Sequence, residues 1–184
     1  MILNSTFNLV IISLLLGAQW LMRPSVFLKV ARPVFWALLV LPALLAIYFS
    51  YQQYQLWSVN PLTRLLLPPH QNVSYFISYS AVTFFLPIVI NVLLASVALL
   101  IFTWMNRRFQ GRFFEEVEPY LIGLAILLSG GYWMVSLLLI IGATFLGTLV
   151  NFVMKRGRFS MYYLWLPAAV FTIATINLIK MLPR

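Results

Sequence analysis

The sequence predicts an all-α fold, a polytopic transmembrane bundle of about six spans forming one integral membrane domain over residues 1–184. Three observations lead there. The chain is 63% hydrophobic and 8% charged, against roughly 45–50% apolar and about 25% charged in a soluble domain. Its apolar residues fall in long runs, of the kind that cross the ~30 Å hydrocarbon core of a bilayer. Its basic residues gather in short clusters between those runs, as they do in cytoplasmic loops.

The same clustering removes nucleic acid as the reason for the net charge of +9. The expected partners are the lipid bilayer and other membrane protein subunits. With no Cys and one His, disulfides, thiolate chemistry and multi-histidine metal or haem sites are excluded. No cofactor and no metal are expected.

The first span is about 3–22, within MILNSTFNLVIISLLLGAQWLM. It has no basic leading region and no small-residue cleavage site, so it reads as a retained helix rather than a signal peptide. Arg23, Lys29 and Arg32 follow, with Pro24 and Pro33 marking the turn. The second span, about 33–51, opens on Pro33, since a helix start needs no N–H there. A polar connection, QQYQLWSVNPLTRLLLPPHQN, runs from 52 to 72. Its Leu65–Leu67 part suits the membrane interface, and Pro68-Pro69 stops any helix. The two glycosylation sequons, at Asn4 and Asn72, lie against the membrane and carry little weight. His70, alone in this loop, reads as solvated. The third span is about 74–105, roughly 45 Å at the α-helical rise. It exceeds the bilayer, so it tilts or projects.

The stretch from Pro119 to Met154 decides the topology. As one helix it would exceed about 50 Å and would place Arg107, Arg108 and Arg112 opposite Lys155, Arg156 and Arg158. A hairpin turning at Gly130-Gly131 puts both clusters on one side, as the positive-inside rule prefers. The remaining spans are then about 113–129, 132–154 and 161–180. Three Lys or Arg residues lie in each of the 1–2, 3–4 and 5–6 connections, one in the 2–3 connection and none in the 4–5 turn. The basic loops are therefore cytoplasmic and both termini non-cytoplasmic, in a membrane of the bacterial cytoplasmic type. Trp20, Trp36, Trp57, Trp104, Trp133 and Trp165 fall near span ends, where interfacial anchors belong.

Two polar stripes lie inside the spans. Ser80, Thr83, Pro87 and Asn91 follow one helical face of the third span. Pro87 cannot donate to the Thr83 carbonyl, so that carbonyl needs another partner. The face suits interhelical packing, or a polar pocket for a small ligand. In the fifth span Ala143, Gly147 and Asn151 repeat every four residues, a pattern that lets helix backbones approach closely.

All three acidic residues, Glu115, Glu116 and Glu118, fall within four positions, close to Arg107, Arg108 and Arg112. Acids in a first helical turn favour the helix dipole. The cluster also suits docking of a partner at the cytoplasmic face. An ionisable group at the edge of a span is in addition a candidate for chemistry. If any residue is catalytic it is Glu118, with Glu115 as the second carboxylate.

From Glu118 onward the chain reads EPYLIGLAILLSGGYW, MVSLLLIIGATFLGTLVNFVM, KRGR and FSMYYLWLPAAVFTI. These roughly 65 residues resemble the C-terminal half of prepilin peptidases: an acid opening a short helix that ends at a glycine turn, a long glycine-containing helix, a basic loop and a last helix. That resemblance implies a membrane aspartyl protease fold. Its catalysis needs two Asp residues, and this chain has none; the family's Gly-x-Gly before the acid is replaced by Glu-Glu-Val. A non-catalytic relative is therefore expected, an integral membrane subunit or scaffold of a membrane assembly. The alternatives are a small-solute transporter component, with Ser80, Thr83 and Asn91 lining its site, and an intramembrane acid protease using Glu118.

The hairpin is open to a direct test, because the chain has no native cysteine. Phe109→Cys and Gly157→Cys should both react with an impermeant maleimide from the same face of the membrane. Reaction from opposite faces would remove the hairpin and the shared basic side.

Overall fold

The computed structural model describes residues 5–110, 114–153 and 161–181. Among the described residues the architecture is all-helical. The elements are α1 (Ser5–Leu21), α2 (Pro24–Val59), α3 (Val73–Arg108), α4 (Glu118–Ser129), α5 (Trp133–Val153) and α6 (Trp165–Met181). Short 3₁₀ turns, Thr63–Leu66 and Gly130–Tyr132, sit in the α2–α3 and α4–α5 connections. A π-helical stretch, Ala81–Phe85, interrupts α3 just before Pro87.

Two of these helices, α2 and α3, are long and apolar enough to cross a membrane. Each has 36 residues, about 54 Å. The bounds of α2 correct the sequence reading. The turn comes before Pro24, which occupies the first helical turn, while Pro33 and Pro42 lie inside the helix. The connection begins only after Val59. Packing carries the helix past Pro33, since Phe27, Ala31, Phe35 and Leu38 are all buried around it. Farther on, Gln52 donates to the Tyr48 hydroxyl at 2.8 Å and Gln55 to Tyr51 at 3.0 Å. These i,i+4 pairs carry the helix through the polar stretch.

The centre of the molecule is α4. All of its twelve residues except Tyr120 and Leu127 are buried. Every other helix touches it. A helix that is apolar all round needs cover all round, and here the five longer helices provide it. The three acids do not share its first turn, as the sequence reading had them. Only Glu118 is in the helix, with Pro119 beside it in the first turn, where a missing N–H is harmless. Glu115 and Glu116 belong to the preceding turn, closed by the Glu118 N–H donating to the Glu115 carbonyl at 3.0 Å.

Both ends of the bundle are defined by contacts. At one end Gln19 Nε2 donates to the Tyr162 carbonyl, and the Phe27 and Tyr162 rings meet edge-on at 6.2 Å. Phe102 meets Phe114 at 5.0 Å and Trp165 at 6.2 Å. This end gathers the start of α2, the end of α3, the Glu cluster and the entry to α6. At the other end Asn8 Nδ2 donates to the Leu128 carbonyl at 2.8 Å. The direction of α5 follows. It is about 31 Å long, and Val153 is eight residues from Met161, a reach of at most about 28 Å. Continuing away from α4, its end could not be joined to Tyr162. So α4 and α5 form a hairpin, and Ser136 near the start of α5 donates to Thr172 of α6 at 3.0 Å. Lys155, Arg156 and Arg158 lie outside the described residues.

Beyond the hub α2 and α3 continue together as a two-helix arm. Trp57 packs on Tyr75, Phe76 and Tyr79, with ring centroids 4.8–6.4 Å apart. Asn72 caps α3 by accepting from the Ser74 N–H at 3.0 Å. Trp57 and Trp165 are thus buried, enclosed by aromatic neighbours from distant segments. Trp36 is exposed but twelve residues inside α2.

The tightest inter-helix approach is at Gly123 of α4. A Cβ there would fall inside van der Waals contact of the buried Phe35 ring of α2. Gly123→Ala is expected to cost about 1–3 kcal/mol, and adding Phe35→Leu should recover part of it. Thermal unfolding in detergent checks this; an unchanged Tm for Gly123→Ala would overturn the contact.

Candidate functional site

Two concave regions lie at opposite ends of the bundle. The first, about 810 Å³, opens between the start of α2, the end of α3 and the approach to α4. Its walls carry Arg32, Asn106, Arg107, Glu115, Glu116 and Tyr120. Arg32 and Arg107 are exposed, as is Glu116, while Glu115 is half-buried. The groove therefore holds both signs of charge at a wet edge of the bundle. Such groups favour orientation and specificity of docking more than raw affinity.

Of the residues chosen from sequence for docking, Arg107, Glu115 and Glu116 line this groove. Arg108 is exposed beside it, in the last turn of α3. Arg112 lies outside the described residues. Glu118 is separated from the other acids: only 1% of it is exposed, and it sits in the core at the start of α4. Arg32 was missed as a site residue. In sequence it is one of three loop charges, and only the extra turns of α2 bring it opposite Glu115 and Glu116.

Tyr162, in the turn ahead of α6, belongs to the same end. The ring is fully buried against Phe27. Its hydroxyl donates to the Gln19 carbonyl at 3.4 Å.

The second region is a cavity of about 650 Å³ at the glycine end. Thr83, Pro87 and Asn91 of the polar stripe line it, together with Asn8 of α1, Leu38 and Pro42 of α2, and Leu127, Leu128 and Gly130 of α4 and its turn. Ser80 does not line it; it is buried one turn earlier, before the π-helical stretch, and its hydroxyl has no hydrogen-bond partner. Asn8 and Pro42 were not assigned to this face from sequence, because nothing local connects them to the third span. On α5, Ala143 and Gly147 share the half-buried side with Ser136 and Ile140, while Leu138, Ile141, Phe145 and Leu149 face outward. Asn151 is on the last turn of α5. Among the described residues no group of three or more His, Asp or Glu side chains is placed to hold a metal ion.

One backbone position holds the cavity in shape. Gly130 ends α4 with φ 57° and ψ −133°, a region that only glycine enters without strain. Gly130→Ala is expected to lose about 1–3 kcal/mol of stability, read as a lowered Tm in detergent. An unaltered Tm would mean that the turn takes another conformation. No protein-family model, curated protein or solved structure matches the chain, so the groove and the cavity themselves carry the functional reading.

Proposed function

We propose that this chain is a six-span integral membrane protein that works without catalysis, as a subunit or scaffold docking a partner through its charged groove. The observation that carries the reading is the groove itself. Arg32, Arg107, Glu115 and Glu116 line one cleft at the basic end of an otherwise apolar molecule.

The membrane placement rests on the outer surface. Leu14, Trp20, Val40, Leu44, Leu93, Leu100, Leu138 and Phe145 are each more than half exposed, an apolar cover that water does not tolerate in a monomer. The shortness of α4, about 18 Å, is compatible with a bilayer. Its neighbours screen it from lipid, and only lipid-exposed backbone must match the hydrocarbon thickness. The positive-inside rule then makes the groove cytoplasmic, with the α2–α3 arm projecting from the opposite face. A degenerate relative of the prepilin peptidases fits the order of short helix, glycine turn, long helix and last helix. Acid proteolysis would need two carboxylates facing one water; Glu118 is in the core, whereas Glu115 and Glu116 face the groove, and this favours docking over cleavage.

The test is charge reversal. Glu115→Lys with Glu116→Lys should leave Tm within the range of surface changes, about 0.5 kcal/mol in stability, yet lose the proteins that co-purify after gentle extraction. Glu118→Lys should instead unfold the protein, because it buries a cation. An unchanged set of co-purifying proteins in the double variant would remove the docking role.

A further inference from the structure

We infer that the cavity at the glycine end binds an uncharged, lipid-soluble molecule that donates a hydrogen bond from a hydroxyl head. The cavity's volume of about 650 Å³ lies within the range of small-molecule sites, roughly 300–1,000 Å³. Among the described residues no charged side chain lines it, so an ionic ligand would be buried without a counter-ion. Its mouth is apolar. Leu86 and Ile90 of α3 belong to the lining and are 49% and 46% exposed. A ligand entering past them comes from lipid; this route rests on the bilayer reading above, whereas the binding chemistry does not.

The polar group left unmet in this wall is an acceptor. Asn8 is only 4% exposed. Its Nδ2 donates to the Leu128 carbonyl at 2.8 Å, and a carbonyl accepts only from the nitrogen, so the direction of the amide is set. Its Oδ1 is buried and has no hydrogen-bond partner among the described residues. An unmet buried acceptor is costly, and Asn8 lines the cavity. Two prolines extend the pattern. Pro42 has no N–H for the Leu38 carbonyl, and Pro87 has none for the Thr83 carbonyl; all four residues line the cavity. The site thus holds one unmet acceptor, Asn8 Oδ1, and two carbonyls without their usual helical donor, while Thr83, Asn91 and Tyr132 can act either way and the Trp133 indole N–H only donates. A ligand head with an O–H answers Asn8 Oδ1, and one with only acceptors does not. Glycerolipids with a free hydroxyl and isoprenoid hydroquinones share this chemistry.

The experiment uses a diazirine-bearing hexadecanol and its methyl ether on the purified full chain in detergent. The alcohol should label 83–92 or 127–133 saturably, and the ether, which lacks the donor, should bind about 5-fold more weakly, as expected for one hydrogen bond. Asn8→Leu should weaken the alcohol by a similar factor and leave the ether unchanged. Leu86→Trp, an exposed substitution at the mouth, should weaken both, and it keeps the test valid where Asn8→Leu fails to fold. Competition by dioleoylglycerol assigns the head to a glycerolipid, and competition by a reduced isoprenoid quinone assigns it to a hydroquinone. Equal binding of alcohol and ether overturns the donor requirement. Labelling that Leu86→Trp does not alter, or that neither competitor displaces, overturns the site.

Discussion

The burial of α4 on every side is the constraint from which the remaining architecture follows. Its twelve residues offer no polar face; Ser129 satisfies its own hydroxyl by donating to the Ala125 carbonyl, and Glu118 starts the helix inside the core. So short and so apolar a helix needs neighbours on all flanks, and α1, α2, α3, α5 and α6 supply them. In the proposed bilayer setting this association would gain little from the hydrophobic effect, because acyl chains are as apolar as leucine. Close packing and a few hydrogen bonds must do it instead. Gly123 admits the Phe35 ring, and Ala31, Ala95, Ala125 and Ala169 are almost wholly buried. Asn8 to Leu128, Gln19 to Tyr162 and Ser136 to Thr172 then tie outer helices to the hub and to one another.

That hub separates two chemistries. At one end, helix termini and a tight turn bring opposite charges into an open groove. At the other, prolines inside helices, a π-helical stretch and a glycine turn line a cavity with one unmet acceptor and, among the described residues, no charge. Helix α3 connects them, with Asn91 in the cavity and Arg107 in the groove. The two ends can therefore be changed separately, since no side chain lines both.

Much of this was legible in the chain. Apolar runs between basic clusters marked six helical rods, and Ser129-Gly130-Gly131 marked the turn between α4 and α5. Glycine is required there by a backbone angle, and such a requirement is local. The length of α2 was not legible. Pro33 and the polar run after residue 51 both argue for breaks, and long-range packing together with Tyr–Gln pairs outweighs them. Trp57 and Trp165 carried the same ambiguity. A tryptophan near a span end suits an interface equally well as an aromatic cluster, and partners from elsewhere in the chain decide.

The amino-acid sequence by itself determined the number of rods, their apolar character and the end at which charge collects, because each depends on residues close together in the chain. Tertiary structure alone decided which polar groups meet. Asn8 and the Leu128 carbonyl are 120 residues apart, and Gln19 and Tyr162 are 143 apart. It likewise drew Glu118 into the core and left Glu115 and Glu116 at the groove, though only one residue lies between Glu116 and Glu118. Helical rotation and packing set those outcomes, and a one-dimensional pattern does not contain the angle at which one rod meets the next.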